Sequence, residues 1–227
     1  MESKRISDVL LERPTGFNLD GRHFYLYPQT LGSSQLIGGL LAELNLTELR
    51  GGNVIIALTQ IVGDNLDTCL RIIAYSVLRG KEVLDNRRVD EVIGWMHQHA
   101  KPEDVVMLMQ MILSVKSVED LTKHFGIDEE LKEYSRICKG KDNSNTLVFC
   151  GKSVWGNTIS TLAEKYGWTM DYILWRISLD NVNMLLADAP KTIYLSEEEI
   201  KRLHPKQAMM KADDPKNFEA IMAMNWD

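Results

Sequence analysis

The sequence predicts a mainly α protein that opens with an N-terminal β-hairpin, continues as a helical bundle and adds a small C-terminal unit of three helices. Three observations carry this reading. Two short runs of alternating apolar residues near the N-terminus flank a turn dipeptide. From residue 33 the apolar side chains recur at the spacing of one helix face. A stretch rich in Gly, Asn, Ser and Asp over 139–152 then separates two groups of helical segments.

The hairpin lies in FNLDGRHFYLY, residues 17–27. Asp20-Gly21 suits a type I′ turn, whose two central residues need positive φ, and Pro28 stops the second strand. Residues 33–44 place Leu36, Ile37, Leu40, Leu41 and Leu44 on one helical face. Gly51-Gly52 interrupts the pattern. Residues 53–79 then carry Ile55, Ile56, Leu58, Ile61, Val62, Leu66, Leu70, Ile73, Ala74 and Val77, which predicts two helices joined near Gly63-Asp64, with Gly80 just past the end. A helix over 88–99 turns Val89, Val92, Ile93 and Met96 inward. Lys101-Pro102-Glu103-Asp104 starts the next, over 103–114, with proline at the first helical position and acids in the first turn. Ser117, with Asp120 three residues on, caps a further short helix that Gly126 ends. The charged stretch 128–138 closes the first domain.

The predicted organisation is a hairpin and bundle domain over 1–138, a linker over 139–152, a small helical domain over 153–190 and a helical or mobile tail over 191–227. Three short helices fit within 154–187. In the tail, Ser196 caps a helix over 196–203 that has Glu197, Glu198 and Glu199 in its first turn.

With 227 residues, 44% apolar and 26% charged, the chain has ordinary globular composition and enough apolar side chains for a core. The net charge is −6. Residues 1–140 hold 16 basic against 20 acidic side chains, and 141–227 hold 10 against 12, so neither part is basic. Nucleic acid is therefore not an expected partner, because phosphate neutralisation supplies most of such affinity. The N-terminus, MESKRISDVLLERPTG, lacks the apolar centre of a signal peptide, and no run approaches the roughly 18 apolar residues of a membrane span. The expectation is a cytoplasmic protein with no membrane partner. Cys69, Cys138 and Cys150 are an odd, sparse set without CxxC spacing, which speaks against a disulfide framework or a zinc knuckle.

Signatures of chemistry fail at named positions. Cys150-Gly151-Lys152-Ser153 resembles the end of a phosphate loop, but the glycine required six residues before the lysine is Thr146. His97 and His99 point about 200° apart on a helix and cannot share a metal from one face. His23, His124 and His204 stand alone. No GxSxG or HExxH pattern occurs. No catalytic, cofactor-binding or metal-binding residue is predicted, and the protein is read as non-enzymatic.

What remains is a binding surface. Ala163, Gly167 and Ile173 have helix-turn-helix spacing, which keeps a DNA-binding or regulatory protein open as the alternative. The second helix, however, offers base edges and phosphates only Arg176, beside Asp171 and bulky aromatics. Trp168, Tyr172 and Trp175 are spaced four and three apart and can form one helical face. A unit this small has little room to bury them all, so some are expected to meet a partner. Tyr166 and Met184 complete the candidate partner-binding set. Methionine is abundant, with 11 in the chain, and adapts to irregular partners. Met107, Met109 and Met111 read as core; those in the tail read as partner contacts.

The segment Glu164 to Pro190, EKYGWTMDYILWRISLDNVNMLLADAP, resembles the C-terminal part of tail assembly chaperones from long-tailed phages and prophages. The shared pattern is a Tyr-Gly-Trp turn, then Asp-Tyr, an aromatic three residues on and a short apolar helix. The hairpin followed by Tyr27-Pro28-Gln29-Thr30-Leu31-Gly32 is similar to the start of that family's N-terminal domain. The resemblance implies a non-enzymatic chaperone acting in the host cytoplasm and absent from the mature virion. Its helical domain would coat the tape-measure protein, its C-terminal domain would recruit tail tube subunits, and several copies would assemble as a homo-oligomer. In many relatives the two parts are joined by ribosomal frameshifting; here they lie in one continuous chain. The residues beyond Pro190 have no counterpart in the pattern.

Overall fold

The computed structural model describes residues 7–44, 46, 54–113, 123, 126–142, 153–189 and 192–203. Among them the chain is mainly helical behind one two-stranded antiparallel hairpin, the fold class predicted. It groups into two compact units. One holds the described residues of 1–122 together with those of 150–187, the other those of 123–149 together with those of 188–227.

In the first unit, β1 (Thr15–Leu19) pairs with β2 (Arg22–Leu26), with Phe17 opposite Phe24. Asp20 (φ 42°) and Gly21 (φ 76°) both take the left-handed conformation of the type I′ turn. Phe17 stacks on Phe24 at 5.6 Å between centroids, and Phe24 meets Trp95 at 5.0 Å, so aromatic packing fixes the hairpin to the helices. Just past β2, the Tyr27 N–H donates to the Ser76 carbonyl at 2.9 Å.

The first helix, α1, spans Leu31–Glu43. It starts two residues before the apolar periodicity predicts, because Thr30 and Ser33 cap it reciprocally. Thr30 Oγ1 accepts the Ser33 N–H at 3.3 Å, and Ser33 Oγ accepts the Thr30 N–H at 2.9 Å. Helices α2 (Val54–Asp64) and α3 (Leu66–Val77) break at Asn65, beside the predicted joint. Gly80 does not follow the end of α3 directly. Leu78 closes that helix through its N–H to the Ala74 carbonyl, and Gly80 (φ 55°) opens a 3-10 turn over Gly80–Leu84. Asp85 caps α4 (Asn86–His99) by accepting the Arg87 N–H at 3.1 Å. Pro102 opens α5 (Pro102–Leu113), where the Asp104 carboxylate accepts the Lys101 N–H at 3.0 Å.

Helix α3 is the centre of this bundle. It packs on α1, α4 and α5, and α2 packs on α5. Cys69, Leu70, Ile72, Ile73 and Ala74 are buried along it, in a core with Ile37, Leu58, Met96, Leu108 and Met109. Burial raises the Cys69 thiol from its ordinary 9.0 to about 11, since the thiolate is not solvated there. Its folded value thus lies above its unfolded one. The stability it contributes is complete below pH 9.0 and is lost as the pH rises towards about 11. Cys69→Ala should flatten the alkaline limb of a thermal-melt series over that window; an identical limb would contradict this.

Beyond the bundle, α7 (Val154–Tyr166), α8 (Met170–Trp175) and α9 (Leu179–Ala187) are the three expected helices. They build a separate small core from Leu162, Ile173, Ile177 and Val182, to which α1 contributes Leu31. The expected division sets 153–190 apart from 1–138. The observed grouping places 154–187 with the bundle, because α8 packs on α1 with the Trp175 ring against Gly32. Helical periodicity marks that a face is apolar, not which element covers it.

In the second unit, α6 (Ile127–Gly140) pairs with α10 (Glu197–Leu203) through capping contacts. Arg136 donates to the Leu203 carbonyl at 2.8 Å and Arg202 to the Gly140 carbonyl at 2.6 Å. The Glu199 carboxylate accepts the N–H groups of Ser196 and Asp142, each at 2.8 Å, while Ser196 Oγ caps α10 through the Glu199 N–H at 3.3 Å. Those two N–H donors, Ser196 first, hold the Glu199 carboxyl below its usual value. Its contribution is therefore present above the ordinary carboxylate pKa and is lost as the pH falls through the lowered one. Glu199→Ala should speed hydrogen exchange at Asp142 and Ser196 at neutral pH, and acidification should do the same to the wild type. Unchanged exchange in both would refute the clasp.

Gly126 (φ 70°) stands immediately before α6. The helix expected after Ser117, the Gly51-Gly52 break, linker residues 143–152 and the tail from 204 lie outside the described residues. Linker residues 139 and 140 belong to α6.

Candidate functional site

The turn between α7 and α8 is built by caps on both sides. The first helix is started by Ser153, whose hydroxyl accepts the Gly156 N–H at 3.2 Å. It ends at Gly167 in the left-handed conformation (φ 66°), with the Gly167 N–H donating to the Ala163 carbonyl at 3.0 Å. Thr169 then caps α8 by accepting the Tyr172 N–H at 3.2 Å. Only three residues separate the helices, so the side chains of both helix ends converge.

They converge as an aromatic cluster. Tyr166 stacks on Trp168 at 4.8 Å between centroids, and Trp168 meets Tyr172 at 5.1 Å, tilted 56°. Trp168 is half-buried and packs on the small core. Tyr166 and Tyr172 remain 37% and 41% exposed, and Met170 at the start of α8 is 60% exposed. Three of the five predicted residues thus form one continuous, partly solvated surface, with the tryptophan as its root.

The expected helical face through Trp168, Tyr172 and Trp175 is not formed. Trp168 precedes α8, and Trp175 is turned the other way, against Gly32 of α1. A methyl group on Gly32 would sit 2.5 Å from the Trp175 ring. Met184 is half-buried on α9. Exposed Met170 was not singled out by spacing, nor were Val154 and Trp155 on the first turn of α7. The cap signals at Ser153 and Thr169 mark those helix starts, and first-turn side chains are the ones a short helix covers least.

Two ion pairs at the surface involve Asp171 on α8 and the 3-10 turn over Gly80–Leu84. Lys81 bridges to Asp171 and Arg88 to Glu82. Exposed pairs of this kind contribute at most about 1 kcal/mol each, so they orient more than they hold. In α8, Ile173 is buried, Asp171 is engaged by Lys81, and Arg176 follows as the basic group at its end.

The histidines of α4 have separate partners. His97 Nε2 lies 2.8 Å from Asp67, while His99 stacks on Trp95 and donates from Nδ1 to the Trp95 carbonyl at 2.8 Å. Among the described residues, no three His, Cys, Asp or Glu side chains gather as a metal site. No described helix is long and apolar enough to cross a membrane. Of the phosphate-loop-like residues, Cys150, Gly151 and Lys152 lie outside the described residues, and Ser153 caps α7.

No family model matches this chain, and neither does any curated protein or solved structure.

Proposed function

We propose that this protein is a non-enzymatic phage or prophage tail assembly chaperone, binding the tape-measure protein and tail tube subunits in the host cytoplasm. The observation that carries the reading is the partly exposed cluster of Tyr166, Trp168 and Tyr172, with Met170 beside it, on a turn whose sequence resembles that family's Tyr-Gly-Trp motif. Rings rooted in a core and open on one side offer apolar contact at little entropic cost, the property of binding hot spots. An adjacent methionine adapts to more than one partner shape. Shielding a long apolar helix demands reversible contact and an acidic, soluble surface, and the chain's −6 charge suits the second need.

Co-expression with a tape-measure protein of a long-tailed phage tests the reading. The chaperone keeps that client in the soluble fraction and co-purifies with it; a client that stays insoluble and unbound overturns the proposal. Covering a long client also requires several copies. Light scattering should give a mass in multiples of 25.9 kDa, and a monomer at every concentration would remove the oligomer from the proposal.

A further inference from the structure

Residues 7–13 end a helical turn on an unusual residue. The Arg13 N–H donates to the Asp8 carbonyl and the Glu12 N–H to the Val9 carbonyl, each at 2.9 Å, the hydrogen-bond pattern of a Schellman cap. The left-handed position of that motif is normally glycine. Here it is Glu12, at φ 54°, where a Cβ is strained against its own backbone.

The side chain of Glu12 reaches across 166 residues of sequence. Its Oε1 accepts the Ser178 N–H at 2.7 Å and Asn181 Nδ2 at 3.0 Å. Asn181 Nδ2 also donates to the Leu10 carbonyl at 3.2 Å. Beside this, the Leu179 N–H donates to the Gln29 carbonyl at 2.7 Å, and Thr30 bridges to Ser178. Asn181 Oδ1, buried at the same place, has no hydrogen-bond partner among the described residues. The α7–α9 segment has its own core, joined to the bundle side by Leu31 and the Trp175 contact on Gly32.

We propose that Glu12 is a clasp that holds the α7–α9 segment closed on the N-terminal turn, and that the segment opens as a unit when the clasp lets go. The closed position leaves Asn181 Oδ1 buried without a partner among the described residues, a cost that solvent relieves on opening. It is held by the hydrogen bonds of Glu12 and Gln29 and by the burial of Trp175 and Leu31. Opposed local terms of this kind give an element two accessible positions. Opening adds Trp175 to the exposed aromatic surface. That consequence rests on the proposed function; the clasp itself does not.

Hydrogen exchange on the full chain tests it without any client. Glu12→Gly removes the clasp while relieving the strain, so peptides covering 170–187 should exchange on the order of tenfold faster, the scale of a lost hydrogen bond to a charged group. Peptides covering 66–77 should not change. Glu12→Gln keeps an acceptor and should stay near wild type. Gly32→Ala, which presses on Trp175 from the other side, should reproduce the regional opening and serves if Glu12→Gly does not fold. Two results overturn the clasp: unchanged or slower exchange at 170–187 in Glu12→Gly or, where that variant does not fold, in Gly32→Ala; or an equal rise at 170–187 and 66–77.

Discussion

Ile73→Ala should lower the unfolding free energy of the bundle by about 2–5 kcal/mol. Ile73 is fully buried on α3, the helix that packs on α1, α4 and α5 together. Removing three carbons there takes away transfer energy and leaves a cavity that cannot collapse, because three separate helices would have to move to fill it. Urea melts should show a lower midpoint with an unchanged slope, the sign of lost stability without a change in the exposed surface. Val154→Ala is the control. That side chain is 79% exposed, and the change should stay within roughly 0.5 kcal/mol. Equal effects from the two variants would mean that α3 is not the centre of the core.

Tyr172→Ala should weaken client binding by about 2 kcal/mol, roughly thirtyfold, with little loss of stability. Tyr172 is the cleanest probe of the aromatic surface. It touches Trp168 yet stays 41% exposed, so truncation removes contact area without opening a core. Tyr166→Ala should act in the same direction. Trp168→Ala mixes two effects, since that ring also packs on Leu162 and its neighbours in the small core. Titration calorimetry against the client, with circular dichroism melts beside it, separates binding from folding. Loss of binding in step with loss of melting temperature would remove the surface from the account.

Much of the fold was legible because local chemistry decides it. Asp20-Gly21 can hardly be anything but a I′ turn between two alternating runs, and Pro102 with Glu103 and Asp104 marks a helix start in any context. The cap at Ser196 likewise reports on a neighbour only three residues away. What was not legible depends on distant residues. Nothing in the periodicity of 154–187 says that Trp175 seeks Gly32, 143 positions earlier, or that Ser178 meets Thr30. Glu12 is hidden for the same reason. Its left-handed conformation belongs to a position where sequence rules expect glycine, and its partners are at 178 and 181.

The candidate site followed the same line. The residues of the Tyr-Gly-Trp turn could be chosen from the sequence because the aromatics outnumber the places to bury them. Their arrangement could not. The face is set by the Gly167 and Thr169 caps, which put Trp168 ahead of α8 and between Tyr166 and Tyr172.

We propose that this chain binds a long helical client through that aromatic turn. The most direct measurement is client binding by the wild type and by a Tyr166→Ser, Tyr172→Ser double variant, both shown to melt alike. The wild type should hold the tape-measure protein in solution, and the double variant should release it to the pellet. Equal retention by both proteins, or retention by neither, would contradict it.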